Sequence, residues 1–271
     1  MITPSQDVID ISVIIPTFHR EEQLAEAMAS VLCQRDVSLE LIVVDDSAEG
    51  SARDTAASLH DPRVRYFLRP EPSNGRPALA RNDGAAQARG RYFYFLDDDD
   101  LLVQGTLATL SAALDAAPAA GMAFGVIAPF GAHEAALREN QRYFTEARRK
   151  AGKLTASCLL SAYLTFRDTI LVCSACMVRR TAFTAAGGFD ADILICEDSE
   201  LMARIARSNG HVFVDDIVVR YRTGAPSLMN ALARHDEKLR SSYERIQEKY
   251  RQENGLLRFA AMKLWARVVF R

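Results

Sequence analysis

Apolar runs and helical patterns alternate along the first hundred residues. ISVIIP (11–16), LELIVVDDS (39–47), VRYFL (64–68) and RYFYFL (91–96) read as strands, and helix-forming stretches near 21–33, 51–59 and 78–88 separate them. Apolar runs without polar alternation belong to strands covered on both faces. Strands that alternate with helices build βαβ units, so the pattern predicts an α/β fold with a mostly parallel central sheet flanked by helices. Ligands bind such sheets beyond the carboxyl ends of the strands. Those ends are Pro16-Thr17, Asp45-Asp46 and the run Asp97 to Asp100.

The regularity weakens from about 128 to 170, which reads as helix and loop over the sheet. A strand at VCSACMV (172–178), a helix from about 180, a Gly187-Gly188 turn and a helix from about 198 follow, and 231–271 looks helical throughout. One domain over 1–230 with a helical C-terminal appendage over 231–271 is the expected organisation. With 271 residues, 49% hydrophobic, the chain can bury a substantial core. Its 33 basic and 35 acidic residues leave a net charge of −2, which argues against nucleic acid as a partner. No basic leader precedes the first apolar run and no membrane-length apolar stretch occurs, so the expected location is the cytoplasm. An odd count of five cysteines points to reduced thiols, and Cys173-x-x-Cys176 lacks the second pair that a zinc site needs.

The chemistry concentrates in acids. YFYFLDDDDLL (92–102) drives an apolar strand into four carboxylates, which repel one another and lose hydration unless something positive is bound. Mg²⁺ or Mn²⁺ takes few protein carboxylates and completes its shell with water and phosphates, so a metal–diphosphate site fits; an acidic loop capping the next helix is the alternative. Asp45-Asp46 can accept from a base imide or ribose hydroxyls, or can cap the following helix. Arg81 and Asn82 lie in the first turns of a helix, where phosphate contact and plain solvation compete. Glu197 and Asp198 open another helix, as a general base with a shifted pKa or as a cap.

In this order, SVIIPTFHR (12–20), ELIVVDDS (40–47), ARNDGAAQARGRYFYFLDDDDLL (80–102), AAGGFD (185–190) and ICEDSELMARIARSNG (195–210) resemble the family 2 glycosyltransferases, whose fold is the GT-A type. The resemblance runs from about residue 11 to about 222. It implies that Pro16 and Thr17 pack around the nucleotide and that Asp46, with Asp45 beside it, binds a uracil or thymine imide. It implies further that Asp97-Asp98-Asp99 is the family's D-x-D, with Asp99 on the metal and Asp98 against ribose and diphosphate. Asp198 matches the catalytic base, Glu197 its neighbour, and Arg81 the family's helix arginine, a phosphate contact. The implied activity is inverting transfer of one sugar from a UDP- or dTDP-sugar to an acceptor hydroxyl, in bacterial polysaccharide or glycolipid assembly, a lipid-linked glycan being one candidate acceptor. The Q-x-x-R-W motif of the processive synthases is missing, the single Trp being Trp265, and TGAPSLM stands where the family often has a His-containing loop.

GLLRFAAMKLWARVVFR (255–271) carries four basic residues and no acid among apolar ones. It reads either as a helix on an anionic membrane surface, which makes the protein peripheral on the inner face, or as a helix packed on the body or on a second subunit in a homodimer. Two rival functions stay open: a non-catalytic nucleotide-binding or scaffold protein on a transferase fold, and a haloacid-dehalogenase-type phosphatase. The phosphatase needs D-x-D-x-[TV], whereas this run has Leu101 at the last place.

Overall fold

The computed structural model describes residues 9–73, 75–224 and 236–270. Its first half follows the βαβ pattern: β1 (Ile11–Thr17), α1 (Glu21–Leu32), β2 (Leu39–Asp45), α2 (Arg53–Ser58), β3 (Val64–Leu68), α3 (Pro77–Gln87) and β4 (Tyr92–Phe95). All of β1, β2 and β4 is buried, as continuous apolar runs demand. Then come β5 (Leu101–Leu102), α4 (Thr106–Ala116), β6 (Met122–Phe130), α5 (Glu134–Ala151), α6 (Ser157–Phe166), β7 (Cys176–Arg179), α7 (Arg180–Ala186), α8 (Glu197–Asn209) and β8 (His211–Arg222). Two last helices are α9 (Asp236–Asn254) and α10 (Leu256–Val269).

One eight-stranded sheet runs in the order β3-β2-β1-β4-β7-β6-β8-β5. β3, β2, β1 and β4 are mutually parallel, β7 is antiparallel to both of its neighbours, β6 and β8 are parallel, and β5 returns antiparallel. Close packing of α3 on the sheet depends on Gly84, where an added Cβ would lie 2.5 Å from Ile14 Cγ2 and 2.9 Å from Val44 Cγ2.

Three expectations need correction. The strand read at 172–178 begins only at Cys176, because Cys173–Ala175 form a 3-10 turn. β6 and β8 go unread in the sequence: β6 lies between Ala-rich stretches that read as helix, and β8 carries exposed Asp215 and Asp216 amid its apolar residues. The helical stretch 231–271 is two helices that meet at Gly255, whose φ of 80° ends α9, and its start to 235 lies outside the described residues. Among the described residues no helix is long and apolar enough to cross a membrane.

The appendage is joined to the body by apolar and ionic contacts of α9. From α9, Ile246 is buried with Ile193, Ile195 and Cys196, and Leu239 and Tyr243 pack against them. Lys249 Nζ donates to Asp190 at 3.0 Å and lies 3.3 Å from Glu200, while Arg245 pairs with Asp192. These contacts clasp the segment that leads into α8.

Candidate active site

The parallel strands deliver their acids to one edge, where Thr17 at the end of β1 donates to Asp98 Oδ2 at 2.9 Å. Arg20, just before α1, sets a single Nη1 3.0 Å from Asp98 Oδ1 and 2.8 Å from Asp99 Oδ2. Burial pushes the Asp98 carboxyl up to about 6 and raises Asp99 as well, although Arg20 pulls both down. Two hard oxygens thus converge on one cationic atom. That donor set fits Mg²⁺ or Mn²⁺ once Arg20 swings aside, with Asp99 the more open of the two. No three His, Cys, Asp or Glu side chains among the described residues are grouped to hold a metal by themselves, so an ion here would need other ligands from water and substrate phosphate.

Asp100 is fully buried and accepts from the Arg222 backbone N–H at 3.0 Å, while Arg222 Nε donates to the Asp99 carbonyl at 2.8 Å. Burial and the adjacent acids raise its pKa well above the usual carboxylate range. The end of β8 therefore ties down the acidic loop.

Arg81 joins the two acidic elements. From α3 its Nη2 donates to Asp97 Oδ1 at 2.5 Å and its Nη1 to Glu197 Oε1 at 2.6 Å, and the guanidinium is buried against the Phe189 ring. These two carboxylates hold the buried cation in place of solvent. Burial, opposed by Arg81 and reinforced by Asp198, raises Glu197 to about 7.

Among the described residues Asp198 makes no such ion pair. Its Oδ2 accepts from the Cys173 N–H at 3.0 Å and its Oδ1 from the Ser199 N–H at 2.6 Å, and the residue keeps part of its surface open. Burial of the carboxyl raises its pKa, against the pull of Arg81. The 3-10 turn serves both acids, since Ser174 Oγ accepts from the Asp97 N–H at 3.0 Å. Cys173 and Cys176 are both buried, which pushes their thiols up and leaves them protonated core groups.

The two aspartates that close β2 do different work. Asp45 is fully buried and accepts from the Ser47 and Ala52 N–H groups, each at 2.9 Å, and from Tyr66 Oη at 2.8 Å. It anchors the 47–52 loop through both of its oxygens. Asp46 accepts from Arg69 Nη1 at 2.6 Å, from the Ser73 N–H and Oγ at 2.7 and 2.6 Å, and from the Gly75 N–H at 2.8 Å. These donors hold its pKa down against the effect of burial. A base imide at Asp46 must displace one of them. Pro16 lies within buried β1, next to Thr17.

Sequence reasoning assigned no role to Arg20, Arg69, Ser73, Ser174 or Arg222. Arg20 stands three residues beyond a strand end and was within reach of the strand-end rule. Ser174 and Arg222 depend on a turn and a strand that the sequence did not announce.

The Glycosyl transferase family 2 profile matches residues 12–183, from β1 into α7. The chain belongs to this family. A Campylobacter jejuni family relative, GalNAc(5)-diNAcBac-PP-undecaprenol beta-1,3-glucosyltransferase, is 40% identical over 102 residues, covering 37% of this chain and 33% of that enzyme. The chain thus matches about a third of this relative's length. An uncharacterised Mycobacterium tuberculosis protein is 30% identical over 232 residues, 82% of this chain and 70% of its own. In fold, the solved structure of S. aureus TarS 1–349 in complex with UDP-GlcNAc superposes with a TM-score of 0.61 at 18% identity, covering 82% of this chain and 61% of that one. The GT-A-like α/β architecture, with its mixed sheet flanked by helices, is shared with this group of structures.

Proposed function

We propose that this family 2 member transfers a single sugar from a UDP-sugar to an acceptor hydroxyl with inversion at the anomeric carbon. The observation that carries the reading is the Arg81 bridge: one guanidinium touches Asp97 and Glu197, so the acids that end β4 and those that open α8 share one site. Asp98 and Asp99 face the diphosphate, and a Mg²⁺ or Mn²⁺ ion held there supplies the counter-charge for it. Asp198, held by two backbone N–H groups, takes the proton of the acceptor hydroxyl. Glu197, turned to Arg81, sets the position of its neighbour. Asp46 orders Arg69, Ser73 and Gly75 on the nucleotide side.

Uridine is the nucleotide to try first because a structure of the same fold holds UDP-GlcNAc, with thymidine second. The undecaprenol-linked substrate in the Campylobacter relative's name makes a lipid-linked glycan the acceptor class to try first, at the cytoplasmic face of a membrane. Incubating the full chain with labelled UDP- and dTDP-sugars, Mn²⁺ and an extract of polyprenyl-linked glycans should carry label into the organic phase. Asp198→Asn should slow turnover by roughly 10²–10⁴-fold with donor affinity little changed. Undiminished turnover in Asp198→Asn, or no UDP binding and no transfer from any donor, overturns the proposal.

A further inference from the structure

We infer that α10 docks the protein on an anionic lipid surface through a stripe of side chains that the fold leaves bare, a placement independent of which reaction the site performs. The other side of the helix is spent on the body. Phe259 stacks at 5.7 Å on Phe166, Phe270 lies 5.1 Å from Tyr163 and 5.8 Å from Trp265, and Ala266 is fully buried. Lys263 Nζ donates to Gln247 Oε1 of α9 at 3.0 Å, and Arg167 donates to the Phe270 carbonyl at 2.7 Å. The helix is therefore held in a fixed orientation.

Facing away from that contact, Leu257, Ala261, Leu264 and Val268 follow at steps of four, three and four, one line along a helix. Leu257 is 88% exposed, Leu264 65% and Val268 61%, and Leu256 beside them is 64% exposed. A soluble surface seldom strings large apolar side chains in a row at such exposure. At about 100° per residue, exposed Arg258 lies roughly 100° to one side of Leu257 and exposed Arg267 roughly 80° to the other. An apolar line between cationic rails is the section of a helix lying in the plane of an interface, its apolar face among acyl chains and its arginines at the phosphates.

Charge selects the occupant. Residues 255–271 contain four basic residues and no acidic one, although the whole chain is slightly acidic. A second copy of this stripe would bring like-charged rails together, which an interface avoids. Lipid phosphates neutralise them. Trp265, the single tryptophan, sits half-buried on the Arg258 side, where its ring reports on the contact.

The test uses the full chain and sedimentation with phosphatidylcholine vesicles, with and without phosphatidylglycerol. Binding should require the anionic lipid, weaken as salt rises and shift Trp265 emission to the blue. Arg258→Gln and Arg267→Gln should each lower partitioning about fivefold. The double change Leu257→Ser with Leu264→Ser should lower it at least about tenfold while the melting temperature holds, since neither side chain packs on the body. Equal binding to neutral vesicles, or none at low salt, overturns the inference. Self-association of the full chain that the double serine variant abolishes, without vesicle binding, assigns the stripe to a second copy instead.

Discussion

Arg81→Met tests whether the two acidic elements depend on their shared cation. Methionine keeps the length and the packing on Phe189 but leaves Glu197 buried without its ion pair, with Asp97, partly exposed, losing less. Removing one partner from a buried pair costs about 3–5 kcal/mol, and the 31% exposure of the Asp97 side chain points to the lower end. At roughly 2–4 °C per kcal/mol for a protein of this size, melting should fall by about 6–12 °C near neutral pH. The pH dependence is the sharper test. In the native protein Glu197 is raised from 4.5 to about 7, so its contribution to stability is complete below 4.5 and fades as pH rises through 7. Without Arg81, which lowers that value, the folded-state pKa climbs further and ionisation costs more. The deficit of the variant should therefore be largest at pH 8 and shrink at pH 5, where Glu197 is protonated in both proteins. Urea unfolding followed by far-UV circular dichroism at the two pH values measures it. An equal deficit at both, or a larger one at pH 5, refutes the bridge as the organising contact.

Calorimetry of UDP with Mn²⁺ and with EDTA should show metal-dependent affinity that Asp99→Ala loses; equal affinity in both buffers would count against the metal assignment. Glu197→Gln, which can still hydrogen-bond Arg81, should reduce turnover less than Asp198→Asn does, and the reverse ranking would exchange their roles. Gly84→Ala should cost about 1–3 kcal/mol in thermal unfolding by pressing on Ile14 and Val44, and an unchanged melting temperature would show that α3 rides on the sheet more loosely than the distances imply.

The parallel half of the sheet was legible because β1, β2 and β4 are buried on both faces and so appear as unbroken apolar runs. The clustering of acids at strand ends followed from the same reading. Partnership was not legible. Nothing in the adjacent letters of Asp45 and Asp46 tells that the first turns toward the Ser47–Ala52 loop and the second toward Arg69 and Ser73. Arg81 read as a phosphate contact or a solvated residue in the first turns of a helix, and only long-range packing brings it against Glu197, 116 residues on. Ser174 was read inside a strand, whereas its turn holds Asp97 and lies beside the N–H that Asp198 accepts.

The backbone at Cys196 has a φ of 64°, a left-handed turn that side-chain-bearing residues seldom adopt, and it sets the direction in which Glu197 and Asp198 leave the loop. Ile246 of α9 is buried against that kink, while Lys249 spans from Asp190 before it to Glu200 after it. The two last helices are thus unequal as modules. Grafting a foreign tail at the start of α9 would take away the brace on the kink and let the acids drift, whatever the new tail was chosen to bind. Gly255, with open space on every side of its missing Cβ, is the joint at which tails can be exchanged while the chemistry keeps its aim.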